Sequence, residues 1–477
     1  MDWKYKTVER SKSCVTLVCT KTDSTTNAMT KTKNGLDRRP NNQFCNHTKA
    51  STVAFNFSAE IDRLKDFKMA KKHQSVKILT LGDFDLRGKT VLLRVDMNCP
   101  IEPTTGEISG VKRIEEATET IEALSEAKVV VVSHQGRVGN KDYIGMEQHA
   151  KILEKMLGKK VTYVQDVIGT LAQSEIKKMQ NGDIILLDNL RFCAEENYEF
   201  SPEDAAQTVM VQRLGKLFDL CVLDSFPSAH RAHPSLVGFS QIIPTCAGKI
   251  VEREVRKLEE ILTVAKAPHV IVLGGSKVTD RLEAIKMLIK RGRADQILLT
   301  GLIGNVFMRA QARIKYPLGI KGEEDAVAKA HALMGEYPDV FFTPVDVAIN
   351  NDGKRTELDV RLLNKGDQIY DLGPKTIEHY SKIISSAGTV FISGPPGFFE
   401  NPDFSYGTKA MLEAVANSMA TTIVSGGHLT SALKKYGLAE KITHISTAGG
   451  ALVLYLTGEK LPMIQSLETA ATKYRSK

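Results

Sequence analysis

The sequence predicts an α/β protein with two doubly wound parallel-sheet lobes joined by a hinge helix, behind a poorly ordered N-terminal extension. Three observations predict it. Apolar runs without polar alternation are separated by helical stretches of about 10–15 residues, the pattern of parallel sheets covered on both faces. One long, charged, amphipathic run, Lys249–Val264, interrupts that rhythm near the middle of the 477 residues. Residues 1–68 have a composition of their own, rich in Ser, Thr, Asn and Lys and without sustained periodicity.

The extension is placed at residues 1–75. Residues 1–68 hold 13 Lys/Arg and 7 Asp/Glu, so six of the eight surplus positive charges lie there and residues 69–477 carry only +2. A nearly neutral body argues against a protein that coats nucleic acid. The extension has no apolar core followed by small cleavage-site residues, which argues against a secretory signal. Met69-Ala-Lys-Lys reads as a natural beginning for the compact body. No run of about 18 apolar residues exists, so no membrane span is expected. Seven widely spaced cysteines without a C-x-x-C pair point to a reducing compartment, hence the cytoplasm. Cys14, Cys19, Cys45 and His47 match no zinc-finger spacing, and no resident metal site is expected.

From Leu79 the elements follow one another regularly. Lys89–Met97 reads as a strand, Arg113–Ala127 as a helix, Lys128–Ser133 as a strand, and Glu147–Leu157 as a helix. Asp183–Asp188, a helix over Ser201–Leu217, and the strand Leu220–Asp224 complete the first lobe, residues 76–248. The hinge helix spans residues 249–264. Strands then restart at His269–Leu273, Gln296–Thr300, Val340–Ala348, Thr389–Ser393, Thr421–Ser425 and Thr443–Ser446, giving a second lobe over residues 265–460 and a C-terminal segment over residues 461–477. Both lobes are Rossmann-like in architecture, without an internal sequence repeat.

Open parallel sheets bind ligands beyond the carboxyl ends of their strands. In the first lobe those ends carry cations: Arg94-Val-Asp96-Met-Asn98, Ser133-His134-Gln-Gly-Arg137, Asp188-Asn-Leu-Arg191, and Asp224 followed by His230-Arg231-Ala-His233. Arg113 opens the first helix. A guanidinium pairs bidentately with carboxylate or phosphate, so the set suits a small molecule with several negative charges. Any one of these arginines, taken alone, is as readily a surface or structural residue.

In the second lobe the strand ends carry glycine: Gly274-Gly-Ser-Lys277, Ser393-Gly-Pro-Pro-Gly397, Ser425-Gly-Gly-His428 and Ser446-Thr-Ala-Gly-Gly450. Glycine lets backbone N–H groups approach phosphate, and a following helix N-terminus favours the anion. Four such loops point to a nucleotide. Neither G-x-x-x-x-G-K-[ST] nor G-x-G-x-x-G occurs, which excludes a P-loop enzyme and an ordinary dinucleotide fold. An anion half facing a nucleotide half suggests phosphoryl transfer, with Lys277 neutralising the migrating group.

At these residues the chain resembles the phosphoglycerate kinase family, over about residues 76–477. The resemblance rests on LLRVDMNCP, KRIEEA, SHQGR, LLDNLRF, AHRAHPSLVGF, VLGGSKVTD, YDLGPKT, SGPPGFFE and HISTAGGA. GLIGNVFM, SGGHL and HPSLVGF look most like the archaeal branch. The resemblance implies reversible phosphoryl transfer between 1,3-bisphosphoglycerate and ADP, giving 3-phosphoglycerate and ATP, in glycolysis and gluconeogenesis. It implies phosphoglycerate contacts at Asp96, Asn98, Arg113, His134, Arg137, Arg191 and Arg231. Arg113 and Lys277 would share the charge on the migrating group, assisted by amides of Gly426, Gly427 and Gly450. Glu400 matches the ribose contact, and Arg281, His428 and Leu429 fall at further nucleotide positions. Leu461–Lys477 would return to pack on the first lobe.

The departures from the family pattern are Arg281 for a common lysine, Ser393 for asparagine, His428 for a magnesium-holding aspartate, and Ala448 for glycine. Imidazole is a poor ligand for Mg2+, so that ion would be held mostly by ATP or ADP and water. The expected partners are these small molecules, with neither nucleic acid nor membrane, in a monomer or weak oligomer. A non-catalytic binding relative is the alternative. Deletion of residues 1–68 is expected to leave turnover unchanged; a large loss in steady-state rate would refute the view of that segment as an appendage.

Overall fold

The computed structural model describes residues 76–475, apart from Ser276 and Thr447. The expected N-terminal extension lies outside the described residues, as do Cys14, Cys19, Cys45 and His47. Two six-stranded parallel sheets carry the fold. The first has the order β3-β4-β2-β1-β5-β6. Its strands are β1 (Thr90–Val95), β2 (Lys128–Val132), β3 (Val161–Val164), β4 (Ile184–Leu187), β5 (Leu220–Asp224) and β6 (Thr245–Ala247). Runs such as Ile184–Leu187 are buried on both faces, which is why they lack alternation.

The second sheet has the order β15-β14-β13-β7-β8-β9. It is built from β7 (His269–Leu273), β8 (Gln296–Leu299), β9 (Phe341–Phe342), β13 (Thr389–Ser393), β14 (Thr421–Ser425) and β15 (His444–Ser446). The order reverses between β7 and β13, and the loops following these two strands therefore flank the crevice where such sheets take ligands. In the first sheet the corresponding reversal lies between β1 and β5, whose loops carry Asp96 and Arg231.

Three differences from the sequence reading have local causes. The helix expected over Ser201–Leu217 breaks at Thr208, which is extended (φ −61°, ψ 150°) and caps the next helix by accepting from Val211 N. The strand expected over Val340–Ala348 breaks at Pro344, which offers no N–H to a ladder. Its halves join different sheets. The second half is β10 (Asp346–Asn351), the centre of an antiparallel sheet with β11 (Lys354–Asp359) and β12 (Gln368–Leu372). That sheet was not anticipated, although its two-residue turn Asp352-Gly353 has both residues at positive φ (50° and 82°), the signature of a type I′ hairpin. The short strands β3 and β6 were also missed.

The helix Lys249–Val264 follows the first sheet and buries Val251, Val255, Leu258 and Ile261. Its first turn is anchored by Asp224 at the end of β5, whose Oδ1 accepts from Ile250 N (2.9 Å) and Val251 N (3.0 Å). Thr120, on the helix Lys112–Ala123, donates to Asp224 and accepts from Lys249 N (3.0 Å). Gly248 must be glycine here, because a Cβ would lie 2.4 Å from Asp224 Cγ. The same helix reaches the second sheet, where Glu254 pairs with His444 of β15 (2.9 Å). The C-terminal helix Pro462–Tyr474 lies against first-lobe segments: Met463 N donates to Ala229 O (3.1 Å) and Lys473 Nζ to Gln241 O (2.6 Å).

Burial pushes the Asp224 carboxyl up to about 6, against the bonds from Thr120, Val251 and Ile250. A carboxyl raised above its unfolded value near 3.9 contributes stability that is present below about pH 4 and lost as pH rises through about 6. From this group alone, wild-type unfolding free energy is expected to fall by about 3 kcal/mol across that window. Asp224→Asn is expected to remove this segment of the pH dependence in urea titrations between pH 4 and 6.5. An unchanged slope would exclude the assignment.

Candidate active site

The first-lobe strand ends are built on buried amides. Gln135 receives Cys99 N (2.8 Å) and donates to Cys99 O (2.9 Å), tying the loop after β2 to the loop after β1. Asn189 accepts from Gln135 N (3.1 Å) and Arg191 N (3.1 Å) and donates to Gln135 O (2.7 Å), adding the loop after β4. Gly136 sits at φ +67°, where a Cβ would lie 2.2 Å from Asp142 O, so only glycine fits. Its N–H donates to Asn98 Oδ1 (2.9 Å) and its carbonyl accepts from the Arg191 guanidinium. Asn98 and Arg191 therefore clamp the segment that carries His134 and Arg137.

Arg113, in the first turn of the helix Lys112–Ala123, donates to Asp96 Oδ1 at 2.7 Å. Burial disfavours the Asp96 anion, yet the neighbouring cations, Arg113 foremost, hold its carboxyl below the usual range. Asp96 Oδ1 also accepts from Asn98 N (3.1 Å), while among the described residues Oδ2 has only a long contact from Ser228 Oγ (3.4 Å). Oδ2 thus keeps acceptor capacity for a hydroxyl. The Arg191 guanidinium is pushed down by burial and by Arg94, Arg137 and Arg231, which face it as like charges. Arg231 has a loose partner in Glu199 (3.4 Å), and Arg137 is exposed with no ion pair among the described residues. Asp96, Asn98, Arg113, His134, Arg137, Arg191 and Arg231 thus gather in one electropositive region.

Sequence did not single out Glu196, and it grouped Arg94 with the strand-end cations. Arg94 is 1% exposed and Glu196 fully buried; their charges lie 3.8 Å apart, bridged by Ser235. Arg94 also reaches His134 Nδ1 at 3.1 Å. Burial, then Arg94, hold the His134 imidazole well below the usual range. The signal available in sequence was only an arginine at an inward position of an otherwise apolar strand.

In the second lobe the glycines divide into two groups. Gly274 N donates to Ser393 O (3.0 Å) and Gly275 N to Pro395 O (3.0 Å). A Cβ at Gly394 would lie 2.3 Å from Gly274 O. These glycines serve close packing of two loops, and the N–H groups of Gly274 and Gly275 are occupied. Gly426, at φ +102°, likewise donates to Ser446 O (3.0 Å), so the expectation that its amide meets phosphate is corrected. By contrast, Gly427 opens the helix Gly427–Lys435 and Gly450 the helix Gly450–Leu456, with open space at both would-be Cβ positions. First-turn N–H groups have no intrahelical acceptor.

Lys277 immediately precedes the helix Val278–Lys290 with its side chain exposed. Arg281 bonds Ser393 O (3.0 Å) and Ser393 Oγ (3.2 Å), so two of the departures from the family pattern meet each other. His428 Nδ1 lies 2.9 Å from Glu400 Oε1, and both side chains are substantially exposed. The Leu429 side chain is fully buried in the second-lobe core, so this position offers a ligand only its backbone. The loop carrying Glu400 rests on Asp371 of β12, a residue not anticipated. Asp371 Oδ2 accepts from Gly407 N (2.7 Å) and Arg355 (2.8 Å).

The model of the family described as phosphoglycerate kinase matches residues 81–459. A phosphoglycerate kinase of Methanothermus fervidus is 41% identical, covering 83% of this chain and 98% of that relative. One of Methanosarcina mazei is 40% identical, covering 85% and 99%. Among solved structures, phosphoglycerate kinase from Pyrococcus horikoshii OT3 superposes with a TM-score of 0.77 at 37% identity, over 83% of this chain and all of that one. The Coxiella burnetii phosphoglycerate kinase does so with 0.64 at 32%, over 84% and 100%.

A Cβ at Gly397 would lie 2.1 Å from Asp371 Oδ1 and 3.0 Å from Phe404 O. Gly397→Ala must therefore shift the Glu400 loop. It is expected to raise the KM for nucleotide by about tenfold or more, since displacements near 1 Å have effects of that order. The KM for phosphoglycerate should stay within about twofold, and steady-state kinetics against each substrate separate the two.

Proposed function

We propose a division of labour among the residues of this chain, which belongs to the phosphoglycerate kinase family and is a phosphotransferase with a carboxyl group as acceptor. The phosphoryl group passes between the acyl phosphate of 1,3-bisphosphoglycerate and the terminal phosphate oxygen of ADP. The P–O bond to the glycerate carboxylate breaks as the P–O bond to ADP forms, and the carboxylate leaves as 3-phosphoglycerate. A carboxylate needs no proton removed in the reverse direction, so the reaction needs no general base, only position and charge.

The observation that carries the assignment is the geometry of the first-lobe strand ends, where Arg113 is held on Asp96 and where Asn98 and Arg191 clamp Gly136 beside Arg137. Arg137, Arg191 and Arg231 receive the phosphate and carboxylate of the glycerate. Asn98 and Asp96 Oδ2 hold its hydroxyl, and His134 donates to one of its anionic oxygens. Arg113, kept in place by Asp96, shares with Lys277 the charge on the migrating group. The N–H groups of Gly427 and Gly450 complete the cradle, and Glu400, steadied by His428, meets the ribose. Arg281 acts through Ser393, at the end of β13, rather than on the nucleotide.

The residues do not fit a protein-held Mg2+. Among the described residues no group of three or more His, Cys, Asp or Glu is arranged to hold a metal, and the one carboxylate beside His428 is already paired with it. Mg2+ therefore enters and leaves with ATP or ADP as part of the substrate. Exclusion of water requires the lobes to close, and the helix Lys249–Val264, anchored on both sheets, is the hinge element. No helix among the described residues is long and apolar enough to cross a membrane. The four unbridged cysteines Cys99, Cys193, Cys221 and Cys246 support a cytoplasmic location, and the chain is read as a monomer or weak oligomer.

A coupled assay of 3-phosphoglycerate-dependent ATP consumption tests the reading. Absence of turnover at millimolar Mg2+ would leave only a binding protein. Arg113→Ala is expected to lower kcat by about 10²–10³-fold, the scale for one lost transition-state donor. The Kd for ADP should change by less than about twofold; equal losses in both would contradict the role given to Arg113.

A further inference from the structure

The anion site has an inner layer that its surface residues do not account for. Arg94 is the largest fully buried side chain among the described residues, and one of its contacts leads into the site. Its Nε donates to Ser235 Oγ (3.0 Å), a second nitrogen donates to Val95 O, and the third reaches His134 Nδ1 (3.1 Å). Its counter-charge, Glu196, is held from behind by Ser235 N (3.0 Å). A guanidinium has donors and no acceptor. The contact with Nδ1 therefore exists only if Nδ1 presents its lone pair, which excludes the imidazolium and leaves the proton on Nε2. That nitrogen has no hydrogen-bond partner among the described residues, and His134 retains 8% of its surface.

We propose that Arg94 is a positioning residue: by donating to Nδ1 it holds His134 neutral with its proton on Nε2, so that His134 meets phosphoglycerate as a hydrogen-bond donor and the arginines alone supply the positive charge. The inference rests on the assignment of the first-lobe cluster to phosphoglycerate. The tautomer decides the sign of the contact. With the proton on Nδ1, the Nε2 lone pair would face an anionic oxygen. With both nitrogens protonated, the ring would lose Arg94 and add a cation among Arg113 and Arg191. The charged groups acting on His134 are Arg94, Arg191 and Arg113, which oppose its protonation, and Asp96, which favours it. Burial acts with the arginines, and the Asp96 anion is itself engaged by Arg113 at 2.7 Å.

The test uses the full chain with 15N-labelled histidine, and H134Q identifies the resonance of His134. Long-range 1H–15N correlation between pH 5.5 and 8.5 should show a neutral ring protonated on Nε2 throughout. An imidazolium or a proton on Nδ1 in that range overturns the proposal. R94M should release the tautomer, let His134 titrate, and raise the KM for 3-phosphoglycerate about tenfold, the scale of one hydrogen bond. The KM for ATP should change less than about twofold. R94K, which keeps a donor, should restore the tautomer and most of the affinity. If R94M fails to fold beside the buried Glu196, the double variant R94M/E196Q takes its place. An unchanged tautomer and KM in the folded variant would make Arg94 merely structural and sink the proposal. If the tautomer is as stated but 3-phosphoglycerate leaves the Nε2 resonance unmoved, the assignment of the ligand fails instead.

Discussion

Arginines that must meet a multiply charged anion have to be kept close together while that anion is away. Arg94, Arg137 and Arg231 act on Arg191 as like charges, with Glu196 opposing them, and that balance is a constraint on the first lobe. It is met without neutralising the site. Carboxylates hold the arginines from the side: Glu196 lies behind the buried Arg94, and Asp96 keeps Arg113 in place for the migrating group. Neutral amides do the positioning elsewhere. Gln135 and Asn189 link three strand-end loops through backbone groups alone, which fixes geometry without altering the local charge.

The second lobe solves a different problem with different residues. Its loops after β7 and β13 approach so closely that Gly274 and Gly394 admit no side chain, and the amides of Gly274 and Gly275 bond across the gap. The open positions fall at Gly427 and Gly450, where helices begin. Between the sheets, one helix carries contacts to both. Asp224 and Thr120 bind its first turn, and Thr120 belongs to the helix that also presents Arg113. A movement of that first turn is thereby felt one helix away from the reacting charge.

Much of this was legible in sequence because parallel strands buried on both faces are written as unbroken apolar runs. Leu220–Asp224, His269–Leu273, Thr389–Ser393 and Thr421–Ser425 appear at the residues expected. The candidate residues were found just beyond the strand ends, since the carboxyl ends of all six strands in a sheet point to one edge. What escaped was local or non-local in a specific way. Pro344 splits a plausible strand, and Thr208 splits a plausible helix by capping its second half. The hairpin at Asp352-Gly353 was signalled by its turn residues, but its strands are too polar to resemble the rest.

Residue types and their order determined the fold class, the two lobes and the chemistry: cations at one set of strand ends, glycines at the other, and family motifs through both. Direction and partnership were decided only in three dimensions. Arg94 and Arg191 look alike in sequence, yet one is buried against Glu196 and the other remains at the site. Leu429 follows His428 directly, yet faces the core while His428 faces solvent beside Glu400. Gly426 and Gly427 are identical neighbours, yet among the described residues only the Gly426 amide is given an acceptor, Ser446 O. Strand and helix periods set which faces are apolar, whereas the partner of a polar group depends on chain segments tens to hundreds of residues away. A charge or an amide takes its role from that partner, so its role waits on the fold.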